Sequence, residues 1–488
     1  MERINHITER IPSGDSALYD GERVLPYHDL PRIFLAMERW FSQEGVLAAD
    51  GIVVEVENSI CSALIILFLL ERGHGFLVLP KRTDSTEDLK NETLYPSFFR
   101  YIVTLSFSAN RSMEDIFQPS RFFSITPNRE WREPESAITL SEKLFLKTSG
   151  STGTPKMTQL SHARLFGNAL NTAGRLGLNP ADRVFLPVPL FHSYGLTTAF
   201  LGSIVAGASI DLQKGANLLR YLKREKEFQP NVAFLTPIFM EGLVKGRRGA
   251  SHPYRLTISA GDGFRNDLFS RYEALSGPVV NLYGSTEMGA IAAGNPQDSA
   301  LIRKNFVGKP MPGVFICVKP KNGASIAEED REAGELWCRH PFGFEGYVDQ
   351  EGKKIDTGPE DPEGWFNLKD LGRVSPEGHV QVLGRSDLSV NRNGSLVFFS
   401  DIERAMQTIP GMENAVVIAK GEARRGRTLI ACCVPTKEGG IDEHAIRKAC
   451  FSLLPRNAVP DIIRIIKMLP LLPNGKIDRQ KLACTMDL

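Results

Sequence analysis

The run Leu30 to Gln43 sets apolar positions at helical spacing and predicts an amphipathic helix. Gly51 to Val56 is short and apolar and predicts a buried strand. Ser59 to Leu70 predicts a helix and Gly75 to Leu79 another strand. Leu144-Phe145-Leu146 reads as the end of a strand, and Met157 to Ala169 as a short strand followed by a helix. The same rhythm continues with a strand at Arg183 to Pro187, a helix at Gly195 to Ala206 and a strand at Ala208 to Leu212. A helix at Leu218 to Phe228 and strands at Val232 to Leu235 and Arg255 to Ser259 follow. Alternation of this kind argues for parallel sheets with helices on their faces.

From about Phe306 the texture changes to short strands between dense turn signals, such as Pro310-Met311-Pro312-Gly313 and Pro376-Glu377-Gly378. A small β-rich subdomain over about 306–384 is expected. The last hundred or so residues read as α+β. A helix is expected at Ser400 to Thr408 with Ser400 as its cap, strands at Asn414 to Ala419 and Thr428 to Pro435, and a helix at Asp442 to Leu453. The fold class is therefore α/β: a large N-terminal domain of two parallel-type α/β subdomains plus the β-rich piece, then a small α+β domain.

A chain of 488 residues exceeds one ordinary core, so several domains or subdomains are expected. Lys and Arg number 58 against 57 Asp and Glu, and that balance gives no reason to expect nucleic acid or an anionic membrane as partner. Seven scattered cysteines with no zinc-type spacing suit a reducing cytoplasm. The charged, polar start gives no signal-peptide pattern, and the apolar run Ala63 to Leu70 is too short for a membrane span.

The richest local chemistry lies in Lys147-Thr148-Ser149-Gly150-Ser151-Thr152-Gly153-Thr154-Pro155-Lys156, with five hydroxyls, two glycines and two lysines. Hydroxyl and backbone N–H donors wrap phosphate oxygens, and glycine lets the backbone approach them. A flexible Ser/Gly linker is the plain alternative. The Walker pattern is absent, because Thr154-Pro155 separates Gly153 from Lys156 and Met157 follows the lysine. Four further segments carry groups of use to a nucleotide. Asn281-Leu282-Tyr283-Gly284-Ser285-Thr286-Glu287 combines a ring that can stack on a base, hydroxyls, and a carboxylate able to hold Mg²⁺. Phe191-His192-Ser193-Tyr194 sets a histidine before a helix, although a lone histidine is often structural. Leu368-Lys369-Asp370 and Gly384-Arg385-Ser386-Asp387 offer carboxylates for ribose hydroxyls, or only a capped hairpin. Pro473-Asn474-Gly475-Lys476 is a tight turn that projects a lysine, solvated by default.

In this order and spacing the five motifs resemble the AMP-forming adenylating enzymes: acyl- and aryl-CoA synthetases, nonribosomal peptide synthetase adenylation domains and luciferases. The likeness runs from about Ala17 to Leu482. It implies that Thr148 to Lys156 hold pyrophosphate oxygens and that Gly261, Asp262, Asn281 and Tyr283 contact adenine. It further implies that Gly284 and Ser285 help bind the nucleotide, that Thr286 contacts the α-phosphate and that Glu287 is the Mg²⁺ ligand. Asp370 matches the ribose aspartate and Arg385 its neighbour. Asp387 matches the hinge between an N-terminal domain of residues 1–386 and a mobile domain of residues 387–488. Lys476 matches the lysine that bridges carboxylate and phosphate. His192 falls beside the acyl carboxylate and thiol tunnel, with Tyr194, Phe234, Thr236, Phe239 and Met288 as candidate pocket residues.

The activity so implied is ATP- and Mg²⁺-dependent conversion of a carboxylic acid to an acyl-adenylate, then transfer to the thiol of CoA or of a carrier-protein phosphopantetheine. Amino-acid-activating relatives usually place an aspartate near position 192. Phe191-His192-Ser193-Tyr194 lacks one, and an unpaired ammonium in an apolar pocket is costly, so a fatty or aryl acid is expected. A stand-alone amino-acid enzyme and a non-catalytic nucleotide-binding relative are the alternatives. Two departures from the family pattern stand out: Lys369 replaces a glycine, and Asn391 replaces a lysine beyond the hinge.

Overall fold

The computed structural model describes residues 16–21, 23–82, 95–106, 113–134, 138–148, 156–215, 217–247, 253–261, 266–320, 333–355, 363–392, 395–421, 428–436, 440–470 and 477–485. The chain divides into two compact units. The first holds residues 1–315, 338–366 and 378–380, and the second the remainder.

Two sheets organise the first unit. One runs in the order Lys309–Pro310, Gly289–Ala293, Val279–Ser285, Leu256–Ser259, Val232–Leu235, Arg183–Leu186, Ser209–Leu212, Ala17–Tyr19, Val24–Pro26. Its middle strands are parallel and its edges antiparallel. The other runs Lys354–Ile355, Gly346–Val348, Lys156–Ser161, Lys143–Thr148, Phe76–Pro80, Ile52–Val56, Tyr101–Leu105, Phe123–Pro127. The turn-rich stretch after residue 306 is thus not all one small sheet. Gly346–Val348 leaves it and pairs antiparallel with the strand that begins at Lys156, setting Tyr347 opposite Thr158.

The helices follow from burial and capping. Leu30–Gln43 buries Leu30, Ile33, Phe34, Met37, Trp40 and Phe41, one stripe at helical spacing. Ile60–Glu71 is buried along its whole length and is capped by the Ser59 hydroxyl, which accepts from Ser62 N–H. His162–Leu176 is capped by Ser161 and ends at Gly177 with φ 60°. The segment expected as a helix from Gly195 is wider-wound at first: Tyr194–Phe200 is a π-helix that passes into α-helix at Leu201–Val205.

Most of a four-stranded sheet, in the order Phe315–Lys319, Gly334–Arg339, Phe366–Val374, Val380–Arg385, belongs to the second unit. Its C-terminal part pairs Met412–Lys420 antiparallel with Thr428–Pro435, which pairs parallel with Ile462–Ile465. Cys432 and Cys433 are fully buried in that central strand, and burial pushes the Cys433 thiol up to about 12. The first helix here is Phe399–Met406, and Phe398, not Ser400, stands at its N-cap with no side-chain bond. Ser400 already lies within the helix, two residues past the capping position. No helix among the described residues is long and apolar enough to cross a membrane.

Candidate nucleotide and acid site

The ends of the hydroxyl-rich segment are held together by a β-ladder. Thr148 pairs with Lys156 across adjacent strands, and the Thr148 hydroxyl donates to the Lys156 carbonyl at 3.3 Å. Ser149, Gly150, Ser151, Thr152, Gly153 and Thr154 between them lie outside the described residues, as do Asp262 and Lys476.

Beyond its paired end, the Lys156 ammonium sits 3.6 Å from the centroid of the Tyr347 ring, within cation–π range. The Tyr347 hydroxyl donates to Glu287 Oε1 at 2.6 Å. Sequence spacing links Lys156 and Glu287 only through the family pattern; the fold joins them through one buried tyrosine, 6% exposed.

Glu287 stands in the turn between Val279–Ser285 and Gly289–Ala293. Ser285 Oγ accepts from Met288 N–H at 3.1 Å. Phe344 N–H donates to the Glu287 carbonyl at 2.7 Å. Asn168, buried on the neighbouring helix, donates from Nδ2 to the Met288 carbonyl and accepts at Oδ1 from Ala290 N–H, both at 3.1 Å. Its amide thus closes both sides of Gly289, where φ is 65° and a Cβ would come within 2.5 Å of Asn168 Nδ2. His340 adds a second brace. Its Nδ1 accepts from Phe342 N–H at 2.9 Å, which leaves Nε2–H to donate to the Ala290 carbonyl at 3.0 Å. Burial holds that ring below its ordinary value, in the neutral form this arrangement requires. Arg164 completes the frame by donating to the Gly343 and Phe344 carbonyls.

Other expected residues come to the ends of neighbouring strands of the same unit, where Leu235 pairs with Ser259 and Ser259 with Asn281. Asn281 Nδ2 donates to the Arg303 carbonyl at 3.0 Å. Gly261 is exposed at the end of Leu256–Ser259 with φ 97°. His192 is exposed, with its ring 4.5 Å from that of Phe191. Tyr194 donates to the carbonyls of Ile258 and Leu235 at 2.9 and 3.3 Å, and burial pushes its phenol well up, so it stays a neutral donor. The Tyr194 and Phe234 rings are 6.2 Å apart. Thr236 and Phe239 have other work: the Thr236 hydroxyl caps the Pro237–Gly246 helix, and Phe239 packs against Tyr221 at 4.9 Å.

In the second unit, Arg385 Nη1 lies 3.5 Å from Asp370 Oδ1 and its Nε 3.4 Å from Asp387 Oδ1. Lys369 has φ 57°, a left-handed conformation that glycine adopts freely and other residues rarely. The Asn367 side chain supports it by accepting from Lys369 N–H at 2.7 Å. Where the family resemblance leads one to expect a glycine, Lys369 holds a backbone shape that suits one.

Residues 42–348 match the AMP-binding enzyme family, and residues 401–476 its C-terminal domain. The chain belongs to the AMP-binding enzyme family. Sulfoacetate–CoA ligase of Cupriavidus necator is 27% identical over 341 residues, 70% of this chain and 66% of that protein. The anguibactin system regulator of Vibrio anguillarum is 25% identical across 96% of this chain and 46% of its own length. The chain thus spans under two thirds of the length of these curated relatives. ATP-bound MatB from Rhodopseudomonas palustris has the same fold, with a TM-score of 0.79 at 20% identity over 99% of this chain and 98% of that one.

Asn168, His340, Arg164 and Tyr347 were not legible as site residues from the sequence. The only local signal was Gly346-Tyr347 in a turn-rich run, and its partner strand begins about 190 residues earlier.

Proposed function

We propose that this chain joins a small carboxylic acid to AMP from ATP, releases pyrophosphate, and passes the acyl group to a thiol of CoA or of a carrier-protein phosphopantetheine. The observation that carries the reading is the contact chain Lys156–Tyr347–Glu287, which sets the end of a hydroxyl-rich segment beside the carboxylate of the Tyr283–Glu287 motif.

The donor set suits Mg²⁺. Tyr347 engages Glu287 Oε1, and Oε2 has no hydrogen bond or ion pair among the described residues. Such an ion is commonly taken by one or two carboxylates together with phosphate oxygens and water. Bound there with nucleotide, Mg²⁺ would offset the negative charge of the phosphates.

In the first half-reaction a carboxylate oxygen bonds to the α-phosphorus and the bond to pyrophosphate breaks. Thr148 to Lys156 would hold the departing oxygens. Asn281, Tyr283, Gly261 and Asp262 would seat adenine, Gly284 to Thr286 the α-phosphate, and Asp370 with Arg385 the ribose. Lys476, the last residue of the C-terminal family match, would neutralise the two anions that must meet. In the second half-reaction the thiol attacks the acyl carbon and AMP leaves, after residues 387–488 turn about Asp387. His192 would flank the acyl carbon, and Tyr194, Phe234 and Met288 would face a fatty or aryl chain. The CoA ligase named among the relatives favours CoA as acceptor.

The test is ATP–pyrophosphate exchange across a panel of free acids, followed by CoA and a holo carrier protein as acceptors. At least one acid is expected to support exchange, and Lys476→Ala to lower it about 10²–10³-fold while ATP still binds. ATP binding with no exchange for any acid would point to a non-catalytic relative.

A further inference from the structure

Tyr347 has no part in the roles set out above, yet it touches two of the groups that carry them. It is buried at 6% exposure, it lies on a strand whose register sets it beside the strand from Lys156, and its hydroxyl and its ring face different partners. We infer that Tyr347 is a positioning residue: its hydroxyl fixes the rotamer of the Glu287 carboxylate by occupying Oε1, and its ring seats the Lys156 ammonium. The inference rests on the nucleotide and metal reading of this site.

The physical case has three parts. A glutamate in a turn samples several rotamers, and one bond at 2.6 Å to a buried hydroxyl selects one of them. Oε2 is then the oxygen left to meet a cation. The Lys156 ammonium, 3.6 Å above the same ring, is kept from collapsing onto the Glu287 carboxylate, which would neutralise both groups before any nucleotide arrives. Tyr347 itself cannot wander. Its strand is paired on both sides, its ring meets Phe344 at 4.9 Å, and Arg164 and Glu287 tie down the Phe344 backbone. One side chain therefore separates two opposite charges and orients each.

The experiment uses the full chain with Mn²⁺ as the spectroscopic cation and α,β-methylene-ATP as the nucleotide. Equilibrium binding of the nucleotide is measured with and without metal, and bound Mn²⁺ is counted by electron paramagnetic resonance. Tyr347→Phe keeps the ring and removes the hydroxyl. It should weaken Mn²⁺ binding in the nucleotide complex about tenfold, and leave metal-free nucleotide affinity within about twofold of wild type. Tyr347→Leu removes both functions and should weaken metal-free nucleotide binding as well. Thermal melts of both variants identify any loss that comes from misfolding, and the Phe variant fills the same space. Unchanged or tighter Mn²⁺ binding in Tyr347→Phe overturns the inference, and tighter binding would mean that the tyrosine competes with the cation. If the wild-type protein itself takes up no Mn²⁺ with the nucleotide, or Glu287→Ala takes up as much, the parent reading fails and the inference with it.

Discussion

Two left-handed residues stand near carboxylates in this molecule, Gly289 at the end of a turn and Lys369 within the strand Phe366–Val374, and their settings follow opposite plans. At Gly289, next to Glu287 and Met288, the surroundings dictate the residue: Asn168 closes on both sides, and any Cβ meets its amide. At Lys369, next to Asp370, the same backbone region is occupied by a long side chain, held by an Asn367 bond and open to solvent. The first turn is specified by packing. The second site is set by backbone shape and the Asn367 bond, so a residue other than glycine fits there at only its conformational cost.

Breaking the crowded turn should have the largest effect. Gly289→Ala forces a strained φ and displaces Asn168, and should lower the free energy of unfolding by about 3–4 kcal/mol in a urea titration. Asn168→Ala leaves a buried carbonyl and a buried N–H unpaired and should cost about 2–3 kcal/mol by the same measurement. If the two changes act on one contact, the double variant will lose less than the sum.

Acid should loosen the first unit. Burial lowers His74 to about 4 and His162 to about 3, and lowers His340 as well. These rings stay neutral in the native state while the unfolded chain protonates them near the ordinary value of 6.5. Their contribution is complete above that value. It is lost as pH falls toward about 4 for His74 and about 3 for His162, with a slope of up to about 1.4 kcal/mol per pH unit for each ring. Unfolding midpoints against pH would show it, and His162→Gln should flatten the slope. The smallest effect belongs to Lys369. Lys369→Gly should raise stability by up to about 1 kcal/mol, because the replacement removes a left-handed penalty and no buried contact. A loss there would mean that the Lys369 side chain does more than tolerate its place.

Much of the architecture was readable because its signals are local. Leu30–Gln43, Leu218–Phe228 and Thr428–Pro435 have the bounds that their apolar periods predict. Ser59 and Asp442 cap the helices they precede. What escaped was non-local. Nothing near Gly346-Tyr347-Val348 announces that this strand joins the one starting at Lys156, because register depends on partners far away in sequence. Asn168 looked like one more polar residue on an amphipathic helix, and its value lies in two backbone groups 120 and 122 positions later.

The central claim is that a carboxylate attacks the α-phosphorus of ATP in this protein. It is tested most directly by supplying the preferred acid with both carboxylate oxygens as ¹⁸O, together with ATP, Mg²⁺ and the thiol acceptor, and weighing the nucleotide released. The account predicts AMP carrying one ¹⁸O, since the carboxylate oxygen that forms the bond to phosphorus departs with it. Unlabelled AMP, or ADP with the label in inorganic phosphate, would contradict it.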